Sequence, residues 1–197
     1  MPRPDDSEER RGQILDAAAA VFAKVGVRDA RMDDIVAQAD LSKGALYWYF
    51  KSKDDLVAAF IERLFTRGIE SFKQFLKMEL PFPMRMLAIS RYVAADIRSI
   101  ARLRSVALEY YALAARDSRV RRRVRGYLEE STELFAMTIA QGIDRGECRA
   151  TDAHKTALAL QAMYEGFTLL WVVGQGRIAI DEALEHSTRL FIDALTP

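Results

Sequence analysis

Lys43, Tyr47 and Lys51 are spaced four apart, so a helix through them would carry all three along one side, with Gly44 and Trp48 beside them. Such a side suits non-covalent recognition of a nucleic acid. Ammonium groups pair with phosphate, aromatic rings brace a sugar–phosphate backbone, and a glycine lets a base edge come close. Leu46 and Phe50, also four apart, point another way and can pin the segment to helices behind it. A helical hairpin inside any helical protein has the same periodicity, so the spacing alone leaves both readings open.

Other chemistries find little support. Carboxylate di-metal sites need several inward Glu residues with Glu-x-x-His pairs. Glu182 and His186 have the wrong spacing for that pair, and His154 lacks an acid three residues before it. Cys148, the single cysteine, excludes an internal disulfide and has no suitable base nearby in sequence. No glycine-rich phosphate loop of the usual kind is present. No catalytic residue, metal or cofactor is expected, and a helical-bundle enzyme remains the distant alternative.

The elements that must position the cationic side are helices throughout. Met32, Ile35, Val36 and Ala39 form a short amphipathic pattern, Asp40-Leu41 interrupts it, and Ser42 can cap a new helix. Helix one is expected from about Ser7 to Lys24, burying Ile14, Ala18, Val21, Phe22 and Val25, with Gly26 as its stop. Helix four starts after Ser52 and continues through Leu56, Phe60, Ile69 and Phe72 to about Met78. Leu80-Pro81-Phe82-Pro83 breaks the chain. Helices follow at about 84–99, 101–115, 118–144, 152–173 and 180–195. The fold class is all-α with about nine helices. A helix-turn-helix domain (1–52) is joined by helix four to a helical bundle (53–197).

The 197 residues are 50% apolar and 29% charged, as in soluble globular proteins. The net charge is +1, and residues 1–60 hold nine Lys/Arg against eleven Asp/Glu, mild evidence against nucleic-acid binding. The field at the contacting surface matters more, and Leu41 to Lys53 carries three lysines and no carboxylate. Lys43, Lys51 and Lys53 are therefore the expected phosphate contacts; Arg3, Arg10 and Arg11 could reach the backbone too, but read first as a solvated arm. Arg119 to Arg125 instead reads as a solvated helix start, because its arginines point in many directions. The polar N-terminus is no signal peptide, and Ala157 to Val173 is interrupted by Gln161 and Glu165, so no membrane partner and a cytoplasmic location are expected.

The second domain mixes aromatic and sulfur side chains with isolated polar ones. Phe65, Phe72, Tyr92, Asp96, Tyr110, Tyr111, Phe135, Met137, Met163, Phe167 and Trp171 could line a small-molecule cavity; core packing would place them equally well. Asp96 and Glu165 fall among apolar neighbours, with Arg98 and Arg102 as available partners. Leu158, Ala162, Gly166, Leu169 and Val173 make one stripe on helix eight, and Leu184, Thr188, Phe191 and Leu195 make another on helix nine.

The chain resembles the TetR family of dimeric, ligand-responsive transcriptional repressors. The resemblance rests on Ile14-Leu15-Asp16-Ala17-Ala18 with Phe22 and Gly26, on Ile35 to Ala39, and on Leu41-Ser42-Lys43-Gly44, Leu46-Tyr47, Tyr49-Phe50 and Lys53-Asp54-Asp55-Leu56. It covers about residues 12–56. Three positions depart from the family pattern. Ala30 and Arg31 stand where helix two usually begins on Ser or Thr, which leaves Asp29 as a cap and Arg31 as a phosphate contact. Asp40 replaces a frequent Gly, and Ala45 a frequent phosphate-binding Thr. The resemblance implies a DNA-contacting set of Arg31, Ser42, Lys43, Gly44, Ala45, Tyr47, Trp48, Lys51 and Lys53. It also implies a homodimer through helices eight and nine, a two-fold symmetric double-stranded operator with half-sites roughly 34–36 Å apart, and an unidentified small-molecule effector that releases the protein. A DNA-binding dimer answering to a partner protein, or acting as an activator, is the nearer alternative.

Overall fold

The computed structural model describes residues 4–99, 101 and 104–197. Among the described residues there are nine α-helices and no strand. They are α1 (Pro4–Asp29), α2 (Met32–Ala39), α3 (Lys43–Tyr49), α4 (Lys53–Lys77), α5 (Phe82–Ser99), α6 (Arg104–Arg116), α7 (Ser118–Asp144), α8 (Ala153–Val173) and α9 (Ile180–Leu195). Arg3 of the N-terminal arm, and Arg102, an available partner for Asp96 or Glu165, lie outside the described residues. Contacts gather into two compact units, Met1–Leu64 with Arg102–Arg121 and Phe65–Ala101 with Arg122–Pro197. The first reaches beyond the expected 1–52 because α6 packs on α1 and because Phe60 of α4 meets Phe22 edge-on at 6.5 Å.

In the first unit Ile14, Leu15, Ala18 and Phe22 of α1, Ile35 and Ala39 of α2, Leu46 of α3 with Phe50 after it, and Leu56, Val57 and Phe60 of α4 are all buried. Helix α1 runs five residues past the expected end. Gly26, at φ 79° and ψ 165°, kinks it rather than stopping it. The kink shifts the helical phase, so Val27 is buried and Val25, expected inside, faces water. Asp29 is thus the last residue of α1 and not the cap of α2. Arg31 takes that place with extended backbone, and its N–H donates to the Asp34 carboxylate at 3.0 Å. Asp40 ends α2 in the left-handed conformation at φ 53°, which its short polar side chain tolerates better than most. Ser42 then caps α3, its Oγ accepting the Ala45 N–H at 3.1 Å, and Ser52 caps α4 through the Asp55 N–H at 3.1 Å. Each such cap contributes about 1 kcal/mol.

The arginine run is tied down locally. Arg119 pairs with Asp117, Arg121 donates to the Ala114 and Ala115 carbonyls that end α6, and Arg125 lies 3.7 Å from Glu129.

In the second unit α5 packs on α9, and α9 on α8. Helix α5 begins at Phe82, because Pro83 in a first turn has no intrahelical N–H to lose. Phe82 N–H donates to Glu147 at 2.5 Å, while the buried Arg85 reaches Gln141 Oε1 at 2.5 Å and the Leu80 carbonyl at 2.9 Å. These bonds fix the proline break against the end of α7. Gly146, at φ 69°, closes that end.

Candidate nucleic-acid interface

Helices α2 and α3 enclose a three-residue turn, Asp40-Leu41-Ser42, and the Leu41 N–H returns to the Val36 carbonyl at 3.2 Å. Helix α3 divides as its sequence implies. Leu46 is 0% exposed and Phe50 is buried behind it, while Tyr47 is 40% and Trp48 62% exposed. Ser42, Lys43, Gly44 and Lys51 are exposed on the same side, and Ala45 is half-buried. Arg31 is exposed at the head of α2. The Trp48 indole meets the Tyr49 ring edge-on at 4.5 Å, which holds it in place.

The three lysines differ in what they touch. Lys43 Nζ lies 2.8 Å from Asp33 Oδ1 on α2, and this hydrogen bond raises its pKa. Both groups are solvent-exposed, so the pair itself is weak. Lys51 turns back to the end of its own helix, at 2.8 Å from the Tyr47 carbonyl and 3.5 Å from that of Trp48. Lys53 is different. Its ammonium, expected on phosphate, donates to the carbonyls of Val27, Arg28 and Ala30 at 2.8, 2.9 and 3.1 Å. It neutralises the partial negative charge at the end of α1 and ties that end to α4. Arg10 bonds to Gln13, and Arg11 stacks over the Phe50 ring at 5.7 Å. Sequence reasoning missed Asp33; its place in the acidic first turn of α2 was the available signal.

In the second unit the aromatic candidates pair with one another. Phe65 stacks on Tyr127 at 3.8 Å, Phe72 meets Phe135 edge-on at 4.6 Å, and Phe135 stacks on Tyr164 at 5.4 Å. Trp171 is buried, and Met163 and Phe167 are half-buried on the same helix. Tyr92 contacts Phe75 at 5.7 Å, and its hydroxyl is a buried atom with no hydrogen-bond partner among the described residues. One turn on, burial pushes the Asp96 carboxyl up in pKa, and the positive charge of Arg67 partly offsets this. Arg98, one of the available partners, bonds to Asp181. Gln161 accepts from Ser131 Oγ at 2.5 Å and donates to Glu165 at 2.9 Å. Three candidates fall elsewhere. Tyr111 is exposed on α6, which belongs to the first unit; the Tyr110 side chain, on the same helix, lies outside the described ones; and Met137 faces water.

The two stripes expected at the dimer interface also separate. On α8 Leu158 is 57% and Val173 61% exposed, with Ala162, Leu169 and Leu170 exposed and Gly166 half-exposed. The helix is long and apolar enough to cross a membrane by length and composition, and its apolar outer face is much of the reason. On α9, Leu184 and Thr188 are 0% exposed and Leu195 is buried, turned onto the chain's own core. Thr188 Oγ1 lies 2.9 Å from the Tyr164 hydroxyl. The face α9 leaves open carries Leu190 instead, with Phe191 half-buried beside it.

Known proteins with this arrangement regulate transcription. Residues 14–60 match the family described as bacterial regulatory proteins, tetR family, and residues 86–196 match the BetI-type transcriptional repressor C-terminal family. The HTH-type transcriptional regulator TtgR of Pseudomonas putida is 23% identical over 176 residues, covering 86% of this chain and 83% of its own. The uncharacterized HTH-type regulator YfiR of Bacillus subtilis is 26% identical over 147 residues, 73% of this chain and 70% of its own. Among solved structures, the SmeT–triclosan complex superposes with a TM-score of 0.78 at 21% identity, covering 96% of this chain and 92% of that one. At that identity the superposition establishes the fold.

Proposed function

The chain belongs to the TetR family, whose members are DNA-binding transcriptional regulators, and from that premise we propose that it is a dimeric repressor released from its operator by a small molecule. The observation that carries this reading is the outward presentation of Tyr47 and Trp48 on a helix whose Leu46 and Phe50 are locked inside. An α-helix of this kind enters the major groove, while its cations and rings position it on phosphates. Lys43, Gly44, Tyr47 and Trp48 then face DNA, with Arg31 at the head of α2 on the backbone. Lys51 and the Ser42–Ala45 cap hold the helix in shape, and Lys53 holds the domain together.

A second copy is needed to present a second such helix. The exposed Leu158, Ala162, Leu169 and Val173 of α8, with Leu190 of α9, supply an apolar face suited to self-association across a two-fold axis. The effector reading draws on the aromatic interior of the second unit and on its polar members Tyr92, Asp96 and Gln161. That SmeT is a complex with triclosan supports a small organic effector in this fold. Binding there shifts the conformational balance only through differential affinity, typically a coupling of about 1–3 kcal/mol. Operation on DNA places the protein in the cytoplasm.

The test is direct. Duplexes selected from a random library by the purified protein are labelled and titrated by fluorescence anisotropy at several salt concentrations. Affinity should fall steeply as salt rises, since counterions are released from neutralised phosphates. Binding that ignores salt, or a library that yields no enriched sequence, would overturn the reading.

A further inference from the structure

We propose that Trp48 recognises the 5-methyl group of a thymine, so that a 5-methylpyrimidine is a base this protein selects by apolar contact. The inference rests on the regulator reading and concerns what the recognition helix can read.

Helix α3 spans Lys43 to Tyr49 and contains no Arg, Asn or Gln. Of the side chains that make paired hydrogen bonds to guanine or adenine it has only Lys43. Lys43 and the polar side chains at either end of the helix already have partners. The Ser42 hydroxyl accepts the Ala45 N–H, Lys43 is drawn to Asp33, and Lys51 donates to the carbonyls at the helix end. What the helix presents most openly is the indole of Trp48, 62% exposed and steadied by the edge-on ring of Tyr49 at 4.5 Å. One turn earlier the surface is low. A Cβ built on Gly44 would meet nothing nearer than Ser42 Oγ at 4.0 Å, so the helix can come close to a groove floor beside the indole. The apolar group among base-pair edges in the major groove is the thymine methyl. Covering it with the indole removes both from water; an indole N–H adds one hydrogen bond and no bidentate code.

The experiment uses the full-length protein and the duplex it selects from a random library. Each thymine is replaced in turn by deoxyuridine, which removes only the methyl, and affinity is measured by anisotropy for the wild type, Trp48→Ala and Trp48→Phe. The uracil-to-thymine ratio is taken within each protein, so a general weakening cancels. At one thymine per half-site the wild type should lose about fourfold, the worth of one buried methyl. Trp48→Ala should bind both duplexes alike, and Trp48→Phe should keep part of the preference. The proposal is overturned if no thymine responds in the wild type, or if the same position responds equally in Trp48→Ala. A selection that enriches no duplex is a different failure, one that removes the regulator reading itself.

Discussion

Lys43 of α3 and Asp33 of α2 hold each other across the helix-turn-helix, with Nζ 2.8 Å from Oδ1. The cation best placed for phosphate is thus paired with a carboxylate before any DNA arrives. On the proposed reading, DNA must replace that carboxylate and meets its negative charge beside the phosphates. Asp33→Asn removes both effects and should tighten operator binding about two- to fivefold at low salt, since exposed ion pairs are weak. Lys43→Ala should weaken binding and reduce the slope of affinity against salt by about one counterion. Anisotropy titrations on both variants check this; an Asp33→Asn protein that binds more weakly would show that the pair serves the fold instead.

Lys53 is expected to behave in the opposite way. Its three bonds to the end of α1 are internal to the first unit. Lys53→Met should lower unfolding stability by about 1.5–3 kcal/mol, the range for hydrogen bonds to a charged group. Chemical denaturation measures that loss. The salt slope of DNA binding should stay at the wild-type value, because no phosphate contact is lost.

The faces of α8 and α9 predict separable outcomes. Leu158→Arg with Val173→Asp should shift the protein to a monomer in sedimentation velocity while leaving its helical signal intact, because both side chains are exposed. Leu184→Ala, at a fully buried position, should instead cost about 2–5 kcal/mol of stability. It should move the dimer equilibrium little.

Asp117 gives the acid limb of stability a specific source. It accepts the Arg119 and Val120 N–H groups at the head of α7, and the Arg119 side chain with them pulls its carboxyl down to about 2. A depressed folded value means that the contribution is fully present above the ordinary carboxylate range, near pH 4. It is lost as pH falls from there through about 2. Asp117→Asn should lower stability at pH 7 and flatten the profile across that window, so that variant and wild type converge near pH 2, as followed by circular dichroism during acid titration.

Much of the fold was legible because helices announce themselves locally. Ser42, Ser52 and Gly146 mark ends through bonds to their own neighbours, and α7 and α9 run over the spans expected from periodicity. The inner and outer sides of α3 were legible for the same reason, since Leu46 and Phe50 must share a face at that spacing. What failed to show was anything decided by a partner distant in sequence. Lys53 sits 26 residues from Val27, and nothing in a cationic run distinguishes a lysine that will meet phosphate from one that will close a helix. Both α8 and α9 have apolar stripes of the same period. Packing of α9 on α5 and α8 determined that Leu184 and Thr188 turn inward, while Leu158 and Val173 stay exposed. The sequence by itself determined which residues share a helix face, because 3.6 residues per turn is a local property of the backbone. The tertiary structure decided which face each helix hides and which charges neutralise one another, because burial and Coulomb attraction act between whatever the folded chain brings together.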